Sequence, residues 1–180
     1  MPEVWLRSNR RVIALGLLPV ALLSVAGVLL YVKAESSLLA IVAFGFLALS
    51  GLLLFVIMKQ LFSPRVAYSE GYVLFYLKAG PPIAVPVHVV EAFFLGQGPA
   101  HLPLVPADSR LAINLVARLS QKETQWAEVE VKPALGRWSE GYVSIRGSWC
   151  EPLTGDLIRR LNRRLGEVSR EQSAVAEATR

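Results

Sequence analysis

Two runs of 21 residues without a charged side chain, Val12–Val32 and Leu38–Met58, constrain this chain more than any other feature. Only Lys33-Ala34-Glu35-Ser36-Ser37 separates them. Coiled as helices at about 1.5 Å per residue, each is about 30 Å long, the thickness of a bilayer's hydrocarbon core. Leu38–Met58 holds fourteen Leu, Ile, Phe or Val residues, which together favour insertion by roughly 4–8 kcal/mol. It lacks the polar stripe that a soluble core helix carries at helical spacing. Val12–Val32 contains Pro19, whose missing N–H predicts a mild kink. Ala21, Ser24 and Gly27 put small residues on one of its faces, where a second helix can approach closely. The expectation is a transmembrane hairpin spanning 12–58, with helices over 12–32 and 38–58.

A cleaved secretory signal is the competing reading of the first run. Arg7, Arg10 and Arg11 supply a basic start, and Val32-Lys33-Ala34 resembles a cleavage site. The apolar run is longer than such signals need, and a second follows at once, so an uncleaved span is favoured. Basic residues flank both outer ends, Arg7, Arg10 and Arg11 before and Lys59 and Arg65 after, while Lys33 in the loop is balanced by Glu35. Positive charge stays on the cytoplasmic side. The expected location is therefore the bacterial inner membrane, multi-pass, with residues 1–11 as a cytoplasmic flank and both termini in the cytoplasm. Trp5 and Tyr31 fall where interfacial aromatics are expected.

Composition changes past the second run. Residues 63–180 hold fourteen Lys/Arg and twelve Asp/Glu, an ordinary soluble balance of +2 within the chain's +5. Cys150, the one cysteine, rules out an intramolecular disulfide and reads as a small buried hydrophobe.

From Arg65 the apolar period becomes two. Arg65–Tyr68 and Tyr72–Leu77 flank Ser69-Glu70-Gly71 as a hairpin, and Leu135–Trp138 and Tyr142–Arg146 flank Ser139-Glu140-Gly141 as another. The shared pentapeptide reads as common turn chemistry rather than duplication, because the likeness ends at the turns. Ala79-Gly80-Pro81-Pro82 is a further turn. Ile83–Phe94 alternates, with Ile83, Val85, Val87 and Val89 on one face, and Pro86 argues for an edge strand or bulge. Gly96–Asp108 reads as a Pro/Gly loop without room for a strand. Leu111–Leu119 and Trp126–Lys132 alternate again. Thr154 caps a closing helix whose stripe is Leu157, Ile158, Leu161, Leu165 and Val168. The folded domain is expected over 63–170, with 171–180 a disordered tail. The predicted fold class is a membrane-anchored α+β protein: two spans, about six strands in an antiparallel sheet or partly open barrel, and a C-terminal amphipathic helix.

Arg65-Val-Ala-Tyr68, Tyr72–Leu77, the Gly80 turn, Val85-Pro-Val-His-Val-Val-Glu91 and the helix after Gly155 carry a resemblance. Their order behind a two-helix hairpin resembles the bacterial pleckstrin-homology-like membrane proteins. The resemblance implies a PH-like domain without enzymatic activity, serving membrane organisation or protein interaction. It transfers no binding residues, and Gly96–Asp108 departs from the compact family pattern.

No motif for catalysis, metal or cofactor appears. His88, His101 and Cys150 lack ligand spacing; no nucleophile elbow, phosphate loop or dinucleotide fingerprint is present. Gly96-Gln97-Gly98 could form an anion nest but reads as a turn, having no helix behind it. Catalytic residues, cofactor and metal are expected to be none. The best candidate surface is Arg159, Arg160, Arg163 and Arg164 on the last helix, which could meet anionic lipid at about 1 kcal/mol per residue. The alternative is a solvated face balanced by Asp156, Glu167 and Glu171. The expected partners are the bilayer and, through the hairpin, other membrane proteins or a second copy. Nucleic acid is not expected, given the small net charge and no aromatics among the arginines. Function is expected to be non-enzymatic, presenting the domain at the cytoplasmic surface for protein or membrane interaction. An accessory subunit of a larger transporter or enzyme complex is the alternative, and a membrane enzyme without known motifs the third.

Overall fold

The computed structural model describes residues 2–99 and 111–178, which form an α+β protein of two compact units. One unit is residues 8–63; the other joins residues 2–7 to everything described after 63.

The first unit is helical: α1 (Arg10–Leu15), α2 (Leu17–Val32) and α3 (Ser37–Phe62). The run from Val12 is thus interrupted at Gly16. The cause is Pro19, which donates no N–H and crowds the carbonyl four residues earlier, that of Leu15. Gly16 keeps right-handed helical dihedrals, φ −64° and ψ −16°, so the helical course continues through the break. Ser36 caps α3, its Oγ accepting from Leu39 N over 3.3 Å. Helix α3 is long and apolar enough to cross a membrane; α2, at 16 residues, is a shorter apolar helix. The two pack at small side chains. Ser24 and Ser50, each near the middle of its helix, share a 2.7 Å hydrogen bond, and a Cβ on Gly27 would come within 3.0 Å of Leu47. Ala43 and Ser50 are buried there.

The second unit has two four-stranded antiparallel sheets and a long helix. The first sheet runs β1 (Glu3–Leu6), β2 (Val66–Ser69), β3 (Tyr72–Phe75) and β4 (Ile83–Pro86), in that order across the sheet. The second contains β5 (Val90–Pro99), β6 (Leu111–Leu119), β7 (Gly136–Ser139) and β8 (Tyr142–Arg146), ordered β5-β6-β8-β7. Both expected hairpins form, with matching registers: Ser69 opposite Tyr72, Ser139 opposite Tyr142. Their turns need positive φ at both central positions, and Glu70 (50°), Gly71 (86°), Glu140 (54°) and Gly141 (75°) supply it.

Several expectations are corrected. The segment before the helices is not a bare flank: Glu3–Leu6 is a strand, pairing with β2 through Glu3–Tyr68, Val4–Ala67 and Leu6–Val66. Trp5 is buried, stacked on Tyr68 with ring centroids 5.5 Å apart and edge-on to Phe93, not an interfacial anchor. The alternation over Ile83–Phe94 is divided after Pro86 by a 3-10 turn at Val87–Val89, which carries the chain from the first sheet to the second. Pro86 closes β4, an edge strand, as its missing N–H requires. No ladder among the described residues joins the two sheets, so the barrel does not close. Gly96–Pro99 is strand, not loop. There a Cβ on Gly96 would lie 2.7 Å from Val116, and one on Gly98 2.6 Å from Asn114, so glycine permits the approach of β6. The rest of that stretch, 100–108, lies outside the described residues. Trp126–Lys132 keeps the alternation in its burial, Val129 and Val131 against the core and Glu128 and Glu130 exposed, but joins no ladder.

One core serves both sheets and α4 (Gly155–Ala178). Phe75 of the first sheet meets Trp138 of the second edge-to-face at 5.6 Å. Thr154 caps α4 by accepting from Leu157 N, and Leu157, Leu161, Leu165 and Val168 are buried as the stripe requires. The helix runs on to Ala178, through the region expected as a disordered tail. Beyond Val168 it is still applied to the first hairpin, Gln172 lying against Gly71 and its Nε2 3.5 Å from the Tyr68 hydroxyl.

Asn162 fastens α4 to the edge of β5. Its Oδ1 accepts from Phe93 N at 2.7 Å and its Nδ2 donates to Phe93 O at 2.8 Å, so the amide stands in for a missing neighbour strand. Asn162→Ala leaves both backbone groups unpaired and is expected to destabilise the fold by about 2–4 kcal/mol. Urea unfolding monitored by tryptophan fluorescence checks this; a loss within error of zero means that water replaces the amide.

Candidate functional site

Three of the four arginines of the sequence-derived patch pair with acids. Arg164 binds Glu3 with both ends of its guanidinium, Nε to Oε1 at 2.8 Å and Nη2 to Oε2 at 2.9 Å, and reaches Glu167 at 2.9 Å. It is a clamp between α4 and the N-terminal strand. Arg159 pairs with Asp156 one turn earlier. Arg160 lies 3.9 Å from Glu151. Arg163 is exposed and makes no ion pair among the described residues. The balancing acids include Asp156 and Glu167, as the solvated-face reading has it, but also Glu3 and Glu151, which no helical spacing reveals.

The clamp titrates. Hydrogen bonds from Arg164 hold the Glu3 carboxyl below its ordinary value. A depressed carboxylate stabilises the fold above its unfolded pKa, and the contribution disappears as pH falls through the folded value. Thermal unfolding of Glu3→Gln against the native chain should therefore show a constant deficit at neutral pH that shrinks below about pH 4.5. A deficit independent of pH means that the carboxylate charge plays no part.

Burial fixes the other candidates. Cys150 is 1% exposed, its Sγ donating to Arg146 O at 3.3 Å, and desolvation pushes the thiol up to about 12. Such a thiol holds no thiolate at neutral pH. Maleimide should leave it unmodified in the folded protein and label it fully in denaturant; labelling of the folded form at the rate of free cysteine contradicts this burial. His88 is exposed on the 3-10 turn at Val87–Val89; His101 lies outside the described residues. Among the described residues no three His, Cys, Asp or Glu side chains gather as metal ligands. Gly96 and Gly98 lie in an extended ladder, not in a nest.

The cavity that sequence reasoning missed sits around β7, the short outer strand of the second sheet. It encloses about 630 Å³, within the range of small-molecule sites. Its polar lining comes from the sheet face turned away from the core. Asn114 is opposite Arg146, and Arg137 is opposite Ser144. Arg137 and Arg146 are therefore diagonal neighbours on one face, with roughly 7–8 Å between backbones. Val129, Val131, Pro133 and Trp138 form the apolar wall, and Glu130 is the acid lining the cleft among the described residues. Asn114 is 5% exposed and its Oδ1 accepts from Gly147 N at 3.3 Å. Arg146 donates from Nε to Pro133 O at 2.7 Å, and burial lowers its pKa. The signal was present in the sequence. Once Ser139-Glu140-Gly141 sets the register, positions 137, 144 and 146 must share a face.

No family model, curated protein or solved structure matches the chain.

Proposed function

We propose that the chain is an integral protein of a bacterial cytoplasmic membrane that crosses the bilayer twice. It holds a pleckstrin-homology-like domain and both termini on the cytoplasmic face, where the domain binds a protein or the membrane surface without catalysis. One observation carries the two crossings. Strand β1 ends before the helices and β2 begins after them, yet they are ladder neighbours, with Arg65 N donating to Leu6 O over 2.8 Å. A chain that crossed once between residues 8 and 63 would leave β1 and β2 on opposite sides of the bilayer. The pairing therefore supports an even number of crossings.

Helix α3 serves as one crossing, and α1 with α2, residues 10–32, as the other. Their outward surface supports this, since Leu18, Leu22, Leu29, Ile41, Phe44 and Phe55 are all exposed. Water does not tolerate so continuous an apolar surface on a monomer. The Ser24–Ser50 bond suits helices that meet in lipid. The cytoplasmic side follows from Arg10, Arg11 and Lys59 at the outer ends against the neutral pair Lys33 and Glu35. The non-catalytic reading rests on the absence of catalytic motifs in the sequence and on an inert Cys150 thiol.

Single cysteines test this, because native Cys150 stays silent. A membrane-impermeant maleimide added to intact cells with a permeabilised outer membrane should label Glu35→Cys at once and Lys122→Cys only after lysis. Labelling of both from the same side overturns the two crossings.

A further inference from the structure

We propose that the outer edge of β5, from Leu95 to Pro99, pairs with the same edge of a second copy of this chain, so that the second sheet continues from one copy into the other across a two-fold axis. This goes beyond the membrane-anchored reading and stands without it, because the edge lies wholly within the second unit. Asn162 takes up the N–H and C=O of Phe93 on the side away from β6. Strand alternation turns those of Leu95 and Gln97 the same way. Neither residue makes a backbone bond outside the ladder with β6 among the described residues, and both side chains are exposed. Sheet edges are ordinarily blunted by charge, by a bulge or by a covering element. Strand β5 has its bulge near Glu91 and its cover at Phe93, but from Ala92 to Pro99 it carries no charge. A second copy therefore meets it without a like-charge pair. The register follows from what blocks the alternatives. An axis at Gly96 would bring Pro99 of the second copy onto Asn162. An axis at Gln97 instead sets Pro99 opposite Leu95, clear of that side chain. Gln97 N then donates to Gln97 O of the second copy and Leu95 N to Pro99 O, each twice by symmetry; the missing N–H of Pro99 is the one bond lost from each pair. Gly96 falls opposite Gly98 of the second copy, at the closer, non-hydrogen-bonded positions. The Gln97 side chains meet across the axis, where an amide can both donate and accept. Leu95 and Ile113, exposed on the same face as Gln97, widen the contact.

The full chain in neutral detergent is the material for the test, its protein mass read by size-exclusion chromatography with light scattering. The expected mass is that of two chains. Mild oxidation should link Gln97→Cys into a covalent dimer and leave Lys122→Cys unlinked, with buried Cys150 silent in both. Hydrogen-bonded partners on an antiparallel axis lie about 5.5 Å apart at Cα, within reach of a disulfide. Gln97→Lys sets two ammonium groups against each other and should weaken the dimer about tenfold. Mixing it with Gln97→Glu should restore a dimer of one copy of each. A monomer at every concentration overturns the proposal. So does a dimer that Gln97→Lys leaves unchanged, which places self-association on another surface. The oxidation arm keeps the native charge, so failure of Gln97→Cys to link overturns the proposal even where Gln97→Lys does not fold.

Discussion

The bond from Arg65 N to Leu6 O closes a loop that contains the entire helical unit. Were that loop a flexible chain, its closure would cost roughly 3–4 kcal/mol beyond the constant term. Helices that first find each other, at Gly27 against Leu47 and Ser24 against Ser50, remove most of that freedom in advance. Arg65 then holds the returning chain within the sheet unit three ways. Its N–H joins β1, its carbonyl accepts from Tyr76 N, and its Nε donates to Trp149 O at 3.2 Å. The side chain is 2% exposed, and burial lowers its pKa. A buried cation held by a carbonyl is an expensive fastener, and no apolar side chain could make the same bond.

Because β1 belongs to the sheet, the clamp from Arg164 to Glu3 secures more than a helix face. Glu3 is opposite Tyr68, Tyr68 stacks on Trp5, and Trp5 meets Phe93, whose backbone Asn162 holds. Strand β1, the hairpin of β2 and β3, the edge of β5 and α4 are thus tied through one neighbourhood.

Periodicity made much of this legible. The two hairpin turns, the buried face of Ile83, Val85, Val87 and Val89, and the Leu157–Val168 stripe follow from side-chain spacing alone, because each is a local pattern facing one core. What periodicity reports is one-sided burial. Val129 and Val131 obey it without joining a ladder, and Gly96–Pro99 joins a ladder without obeying it. Backbone pairing depends on what lies alongside, and for Gly96 and Gly98 that is Val116 and Asn114 pressing close. Strand β1 escaped notice because four residues beside a long apolar run read as its flank, although Val4-Trp5-Leu6 is composed as a strand.

The candidate sites show the same limit from the side of charge. Four arginines within six positions look like a patch when only their own helix is considered. In the fold, Arg164 spends both ends of its guanidinium on an acid 161 residues away, and Arg160 approaches Glu151 from the segment before the helix. Arg137 and Arg146, nine positions apart and unremarkable as a sequence, converge because a two-residue turn folds one strand onto the other. Whether a charge is answered is therefore a property of the fold rather than of its density in the sequence, since Glu3 reaches Arg164 only because β1 pairs with β2.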